Sequence, residues 1–429
     1  MNYDQCLLYL EQIQNQGIKF GLDNVRVLLS ALQNPQERYP AVVVAGTNGK
    51  GSVCAMLSRI LSLHGFRTGL YTSPHLIRVE ERIRVNGRPI SKRDFSRGLT
   101  VVRGRIESLI ADGYLISPPT YFEIMTCLAL YHFQVREVDM AVLEVGMGGR
   151  YDATNVVRPV VSIITTISLE HQNYLGDTTE KIAFEKAGII KSEVPVVCAV
   201  KDEAAAAVIK ARAEELGAPF FHALDGGPDL KETQPDRAFL YNSGSETYML
   251  RPALHGRHQG RNAAAAITAA ECLSERWRPL SKPLIVKGVD SVRWPGRMEV
   301  ISRDPLVLID GAHNPEGAEA FRDHALIHTH APRILVFAVM RDKNIPVLAD
   351  ILFPLADKIV LTRFPYYRAA DPREIQEKTQ CWHDRIILEP DVGHAVASAR
   401  KLAGKNGSVL VAGSLFLVGE MKKRFSSVS

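Results

Sequence analysis

Four things are scarce in this 429-residue sequence, and each shortage removes a class of function. The six cysteines (Cys6, Cys54, Cys127, Cys198, Cys272, Cys381) stand singly, with no C-x-x-C pair. Most lie in apolar runs, as small buried hydrophobes of a reduced compartment do, so a disulfide framework is not expected. No uncharged apolar stretch approaches the length of a transmembrane helix, and Met1-Asn2-Tyr3-Asp4 lacks the basic flank and apolar core of a signal peptide. A cytoplasmic protein with no membrane partner is therefore expected. Lys and Arg form no dense tract, which argues against nucleic acid. A net charge of +5 suits small anionic ligands instead. Short-period repeats and low-complexity tails are also missing.

What is present is ordinary globular composition, 46% hydrophobic and 23% charged, in a chain long enough for two or three domains. Its most informative stretch is Ala45-Gly46-Thr47-Asn48-Gly49-Lys50-Gly51-Ser52, set between the apolar Val42-Val43-Val44 and a helix-patterned run from Val53 to Leu63. Strand, glycine loop and helix together form the geometry in which backbone N–H groups and a helix N-terminus cradle phosphates. Lys50 would reach the outer phosphates and the Ser52 hydroxyl would meet Mg²⁺. Gly51 separates the lysine from the hydroxyl residue, so the spacing differs from the common G-x-x-x-x-G-K-[ST]. The stretch reads as an ATP site.

Around this loop strands and helices alternate, which predicts a mostly parallel sheet covered on both faces. Strands are expected at Ala41–Ala45, Gly69–Thr72, Met140–Val145, Val160–Ile167 and Pro195–Val200, with helices over Phe122–Gln134, Thr179–Ile190 and Asp202–Leu216. Phe220–Leu254 has no clear pattern. A second series follows Trp294-Pro295-Gly296-Arg297, with strands at Leu306–Ile309, Ile334–Val339, Lys358–Leu361, Ile386–Leu388 and Val409–Ala412, and a helix capped by Asp391. It predicts a second doubly wound unit, with a boundary near Val292 that divides the chain into 1–292 and 293–429.

Polar residues fall at the carboxyl ends of these strands, where open α/β sheets bind ligands. Glu144 ends one strand and is placed to give a nucleotide-bound Mg²⁺ an oxygen ligand. Ser73 and His171 end two others and are expected to serve a second metal, with His75 left to local structure. Lys186 is an exposed lysine by ordinary sequence physics. Its apolar neighbours also allow burial, which would ease loss of its proton and reaction with CO₂ to a carbamate. The helix that carries it is introduced by Asp177-x-x-Glu180, which resembles a capping box. Asp310 and His313 end the first strand of the second unit, while Arg297 and Arg261-Asn262 are candidates for phosphate and base contacts.

Taken in order along nearly the whole chain, Gly46–Ser52, Thr72-Ser73-Pro74-His75, Glu144-Val145-Gly146 with Gly148-Gly149-Arg150, Asp152-Ala153-Thr154-Asn155, Glu185-Lys186-Ala187-Gly188-Ile189 and Asp310-Gly311-Ala312-His313-Asn314-Pro315 resemble the folylpolyglutamate synthase/dihydrofolate synthase family, the folate branch of the Mur ligases. The resemblance implies an α/β protein: a P-loop ATPase-like doubly wound N-terminal domain and a smaller Rossmann-like C-terminal domain, with the active site between them. It implies that Gly49, Lys50, Gly51 and Ser52 bind ATP phosphates and that Asn262, Arg297 and Asp310 hold the nucleotide. Mg²⁺ at two sites would use Ser52, Ser73, Glu144, His171 and a carbamylated Lys186. Lys50, Lys186 and His313 would be catalytic. Thr120, Tyr121, Phe122, Glu123, Tyr151, Asp152 and Ala153 align with segments that hold the pteridine. The implied reaction joins L-glutamate to dihydropteroate or reduced folate through an acyl phosphate, in a monomer.

Four positions depart from the family pattern. Glu170 stands for aspartate, Tyr121 for phenylalanine, Tyr151 for leucine, and Asn344 for the second aspartate after Asp342-Lys343. Two other readings compete with a folate ligase. A cell-wall Mur ligase would need a UDP-sugar domain, and only 45 residues precede Gly46. A nucleotide-binding regulatory module would not need Lys50, Ser52, Glu144, His171 and Lys186 together.

Overall fold

Two doubly wound sheets, each with a strand order that reverses, organise the chain. The computed structural model describes residues 1–14, 21–224, 230–234 and 237–426. The first sheet comprises β1 (Ala41–Ala45), β2 (Thr68–Tyr71), β3 (Ile83–Val85), β4 (Arg88–Pro89), β5 (Met140–Glu144), β6 (Val161–Ile164), β7 (Val196–Cys198) and β8 (Phe220–His222). Their order is β4-β3-β2-β5-β1-β6-β7-β8, parallel from β2 to β8, with β3 and β4 added antiparallel at one edge. β1 is apolar throughout and buried on both faces, as a central parallel strand must be. Val43 and Ala45 join the core under helices Lys92–Ala111 and Tyr121–Val135. Val42 and Val44 point the other way, into helices Lys50–Leu63 and His258–Arg276.

The unpatterned stretch 220–254 supplies β8 and an antiparallel sheet of β9 (Leu230–Gln234), β10 (Ala238–Asn242) and β11 (Thr247–Leu250). Phe239, Tyr241 and Tyr248 from it pack with the alanines of the His258–Arg276 helix. Its residues 225–229, 235 and 236 lie outside the described residues.

The second sheet runs β12-β13-β17-β14-β15-β16, built from β12 (Glu299–Arg303), β13 (Leu306–Ile309), β14 (Arg333–Phe337), β15 (Lys358–Leu361), β16 (Ile386–Leu388) and β17 (Ser408–Ala412). Only β12 is antiparallel in it. The expected strands thus occur within a few residues of their predicted limits. One local expectation fails. The cap of helix Thr179–Ala187 is Thr178, whose hydroxyl accepts from the Lys181 N–H at 3.3 Å, while Asp177 is drawn away to the Lys181 ammonium at 2.8 Å. Asp391 does cap its helix, accepting from the His394 N–H.

Candidate active site

The glycine loop follows β1 directly. Thr47 N–H donates to the Thr166 carbonyl at 2.7 Å, Asn48 N–H to the Thr166 hydroxyl at 2.9 Å, and the Thr165 hydroxyl to the Asn48 carbonyl at 2.6 Å. The loop is therefore shaped by the segment after β6, its neighbour in the sheet. Gly49 sits at φ +85, and a Cβ there would collide with the Asn262 carboxamide, so only glycine lets helix His258–Arg276 approach this closely. Asn262 donates to Gln259 at 2.9 Å, and Gln259 reaches the buried Ser52 hydroxyl at 3.5 Å. The Lys50 ammonium folds back on the Gly46 and Thr47 carbonyls at 2.8 and 3.0 Å. Glycine loop, lysine and hydroxyl thus lie together beyond the carboxyl end of β1.

Glu144 ends β5, paired in register with Val44, and its Oε2 accepts from the Ser73 N–H at 2.9 Å. Burial raises its pKa, opposed by Lys50, the Ser73 N–H and Arg297. Lys186 is 1% exposed, which removes the surface reading. Its ammonium donates to the Gly46 carbonyl at 2.8 Å and to Glu170 Oε1 at 3.2 Å. Burial brings its pKa down to about 8 despite the attraction of Glu170. Burial pushes Glu170 upward, but Lys186, Lys50 and His171 outweigh it and hold the carboxyl at about 2. His171, at φ +50, begins a short helical turn, and burial lowers its pKa. Among the described residues no three His, Cys, Asp or Glu side chains converge as a metal cage. The donors here are mixed instead: a hydroxyl, one buried carboxylate, an imidazole and an amine. Of these the Ser52 hydroxyl and the Glu144 carboxylate are the oxygen donors that Mg²⁺ prefers, with phosphate oxygens and water for its remaining ligands, whereas Lys186 would suit a hard cation only as a carbamate.

The second sheet meets this edge. Asp310 ends β13 and accepts from the Met298 and Ala312 N–H groups at 2.8 and 2.7 Å. Burial raises its pKa and Arg297 opposes. His313 Nδ1 pairs with the Gly311 carbonyl at 2.8 Å, and burial together with Lys343 lowers the ring to about 4, so it is neutral at pH 7. Lys343 also acts on His171 across the cleft. Asn344 caps helix Ile345–Leu352 through its Oδ1.

The segments aligned with pteridine binding are less uniform. Thr120 and Glu123 satisfy one another in a capping box, with bonds of 3.3 and 2.6 Å. Phe122 packs on Gly146 and lies 6.0 Å from the Tyr71 ring. Tyr121 lies under the Arg82 guanidinium, which also donates to His75 Nδ1 at 3.0 Å, so His75 is indeed engaged locally. Asp152 accepts four bonds, from the N–H groups of Gly146, Met147 and Thr154 and from the Thr154 hydroxyl. A carboxylate so occupied holds the 146–149 loop in shape and has little capacity left for a ligand. Ala153 is buried behind it, whereas Tyr151 is exposed and stacked by Arg150.

Two family descriptions match the chain: the Mur ligase middle domain over residues 44–270 and the Mur ligase glutamate ligase domain over 296–415. The dihydrofolate synthase/folylpolyglutamate synthase of Bacillus subtilis is 36% identical over 414 residues, covering 95% of each chain. The chain belongs to this family of Mur ligases. Two solved members share its fold. Escherichia coli FolC in complex with DHPP and ADP superposes at a TM-score of 0.89, with 29% identity over 100% of this chain and 98% of that one. Mycobacterium tuberculosis folylpolyglutamate synthase complexed with ADP and AMPPCP gives 0.91, with 29% identity over 99% of both.

Within this Mur ligase, several residues of the cleft carried no signal in the sequence. Glu170 was visible only as a departure, yet it is the counter-ion of Lys186. Thr165, Thr166 and Ser168 shape the glycine loop from 117 to 121 residues away. Trp294 presses on Gly51 and so belongs to the site as well as to the linker. Glu316 reaches Asn48 from the other domain, from the first turn of helix Pro315–His328, at 2.6 Å. Only the Asn314 cap, read as the start of a helix, could have marked that last position.

Proposed function

We propose that this protein joins L-glutamate to dihydropteroate, as a dihydrofolate synthase, and to reduced folates, as a folylpolyglutamate synthase. Members of its family are ADP-forming ligases. The observation that carries the reading is the assembled glycine loop with Lys50, Ser52 and Glu144 facing the Asp310–His313 edge, in a fold shared with FolC bound to DHPP and ADP. One carboxylate oxygen of the pteroyl or folyl substrate attacks the γ-phosphorus of ATP, the bond to the ADP oxygen breaks, and an acyl phosphate forms. The amine of glutamate then attacks the acyl carbon, phosphate leaves with that oxygen, and the amine loses a proton. Lys50 neutralises charge on the transferring phosphoryl group. Asn262, Arg297 and Asp310 hold the nucleotide, and the cleft shields the acyl phosphate from water. Neutral His313 would accept the amine's proton.

Ser52 and Glu144 would hold one Mg²⁺, and Ser73, His171 and Lys186 a second. Bound there, Mg²⁺ would screen the phosphate oxygens. Burial lowers the pKa of Lys186 and eases loss of its proton, after which its Nζ lone pair can attack CO₂. A C=O π pair moves to oxygen and one N–H proton is lost. The product sets two anions beside each other, carbamate and Glu170, so it needs the second cation to persist. Phe122 and Tyr121 line the proposed pteridine side, with Thr120, Glu123, Asp152 and Ala153 as its frame and Tyr151 at its rim. Residues 1–292 and 293–429 form the two domains of a cytoplasmic monomer.

The test offers the purified protein ATP, Mg²⁺ and glutamate with dihydropteroate or tetrahydrofolate in parallel. ADP release that depends on glutamate and on each acceptor is expected. Release with preformed folates alone would remove the dihydrofolate synthase half, and no glutamate-dependent release would revive the regulatory module.

A further inference from the structure

Two of the contacts between the domains are of opposite character. Beside the Trp294–Gly296 linker the contact is apolar and close: Leu76 lies against Gly296 and Val418, and a Cβ on Gly419 would strike the Leu76 carbonyl. At the glycine loop the contact is made through polar side chains. Asn48 and Asn314 exchange amide hydrogen bonds, Asn314 Nδ2 to Asn48 Oδ1 at 2.9 Å and Asn48 Nδ2 to Asn314 Oδ1 at 3.3 Å. One oxygen of Glu316, Oε2, accepts from Asn48 Nδ2 at 2.6 Å, from the Ser168 hydroxyl at 2.5 Å and from the Thr166 hydroxyl at 3.5 Å. Those partners also shape the loop itself, through the bonds of Thr166 to Asn48 N–H and of Ser168 N–H to the Thr47 hydroxyl.

Glu316 is presented rigidly. It lies in the first turn of helix Pro315–His328, where a carboxylate is favoured by the helix N-terminus, and Asn314 caps that helix through the Gly317 N–H at 2.9 Å. Lys201 feels its charge, although Arg261 influences that lysine more. Hydrogen bonds to a charged acceptor are strong when made, yet water replaces them readily when the surfaces part. The apolar contact at the linker has no such substitute.

We propose that Asn48, Asn314 and Glu316 form a closing latch, in which Glu316 is a positioning residue. Closure about the linker engages it and seats the Asp310–His313 edge over the glycine loop. Opening exchanges its bonds for water while Leu76 stays in place. Glu316 acts through Asn48 and Ser168, not on substrate. The proposal rests on the reading of the glycine loop as the triphosphate site, which wild-type nucleotide binding tests separately.

The experiment compares wild type, Glu316→Ala, Glu316→Gln and Ser168→Ala in three readouts: kcat for glutamate-dependent ADP release, Kd for ADP, and a domain-to-domain distance. Cys381 is the exposed cysteine among six, the others being buried, so a spin label there and one at Ile116→Cys report that distance. Glu316→Ala should lower kcat about tenfold, leave the ADP Kd within about twofold and lengthen the distance distribution, with Glu316→Gln recovering most of the loss. If Glu316→Ala fails to fold, Ser168→Ala carries the test, with a smaller loss of kcat at unchanged Kd. Unchanged kcat and distance would overturn the latch, as would a Kd that weakens in step with kcat. Failure of the wild type to bind ADP would instead overturn the reading of the loop.

Discussion

Both sheets bring their carboxyl ends to one cleft, yet they equip it differently. The first ends in charge of both signs: the half-buried Lys50, the buried Glu144, and the ion pair of Lys186 with Glu170, whose side chains are 2% and 8% exposed. The second ends in one carboxylate already satisfied by two backbone N–H groups, a neutral histidine and a helix cap. Charge held in a dry site interacts strongly and is expensive to strand. Capped backbone, by contrast, places a surface without adding net charge. The difference assigns charge neutralisation at the phosphoryl group to the first edge, and to the second the seating of the nucleotide and, through His313, the amine's proton.

Breaking the first edge should therefore cost most. Lys50→Ala is expected to abolish turnover, a loss of ~3 kcal/mol or more in transition-state stabilisation. The fold should survive, because the ammonium bonds only to loop carbonyls. Steady-state kinetics with a thermal melt checks both, and a folded Lys50→Ala enzyme with near-normal kcat would erase the distinction between the edges. Lys186→Ala strands Glu170 and should lose activity together with roughly 3–5 kcal/mol of stability. Glu170→Gln combined with Lys186→Met should recover the melting temperature without the activity, which separates structural from chemical roles. The carbamate adds a sharper expectation: ¹³CO₂ should label Lys186 in Mg²⁺ and not in chelator.

At the second edge Asp310→Asn should be milder, about 1–3 kcal/mol of stability, because an amide NH₂ cannot accept the N–H of Met298 or Ala312. A last test is the effect of pH on the metal-free protein. Glu170 titrates at about 2, below its ordinary 4.5, so its contribution is complete above 4.5 and is lost as pH falls through 2. Lys186 titrates at about 8, below 10.5; between those values the unfolded chain binds more protons and stability should rise with pH. Denaturant titrations across both windows should show these slopes in wild type and not in the Glu170→Gln/Lys186→Met protein.

The sequence made the first edge easier to read than the second. A glycine loop between strand and helix is a local pattern, and β1, β13, β15 and β16 lie where their apolar runs place them. Burial of Lys186 could be suspected from its neighbours, but its partner and depth come from packing. The antiparallel β9–β11 sheet escaped because its short, interrupted runs lack a period. The bond between Asn48 and Glu316 spans 268 positions and rests on two unremarkable polar residues that no spacing rule connects.

The central claim, ligation through an acyl phosphate, is tested most directly by isotope transfer. Dihydropteroate labelled with ¹⁸O in its carboxylate is incubated with ATP, Mg²⁺, glutamate and the wild-type protein, and the released phosphate is analysed by mass. The account predicts one ¹⁸O in each phosphate, formed only when glutamate is present. Unlabelled phosphate, with its fourth oxygen taken from water, would contradict it.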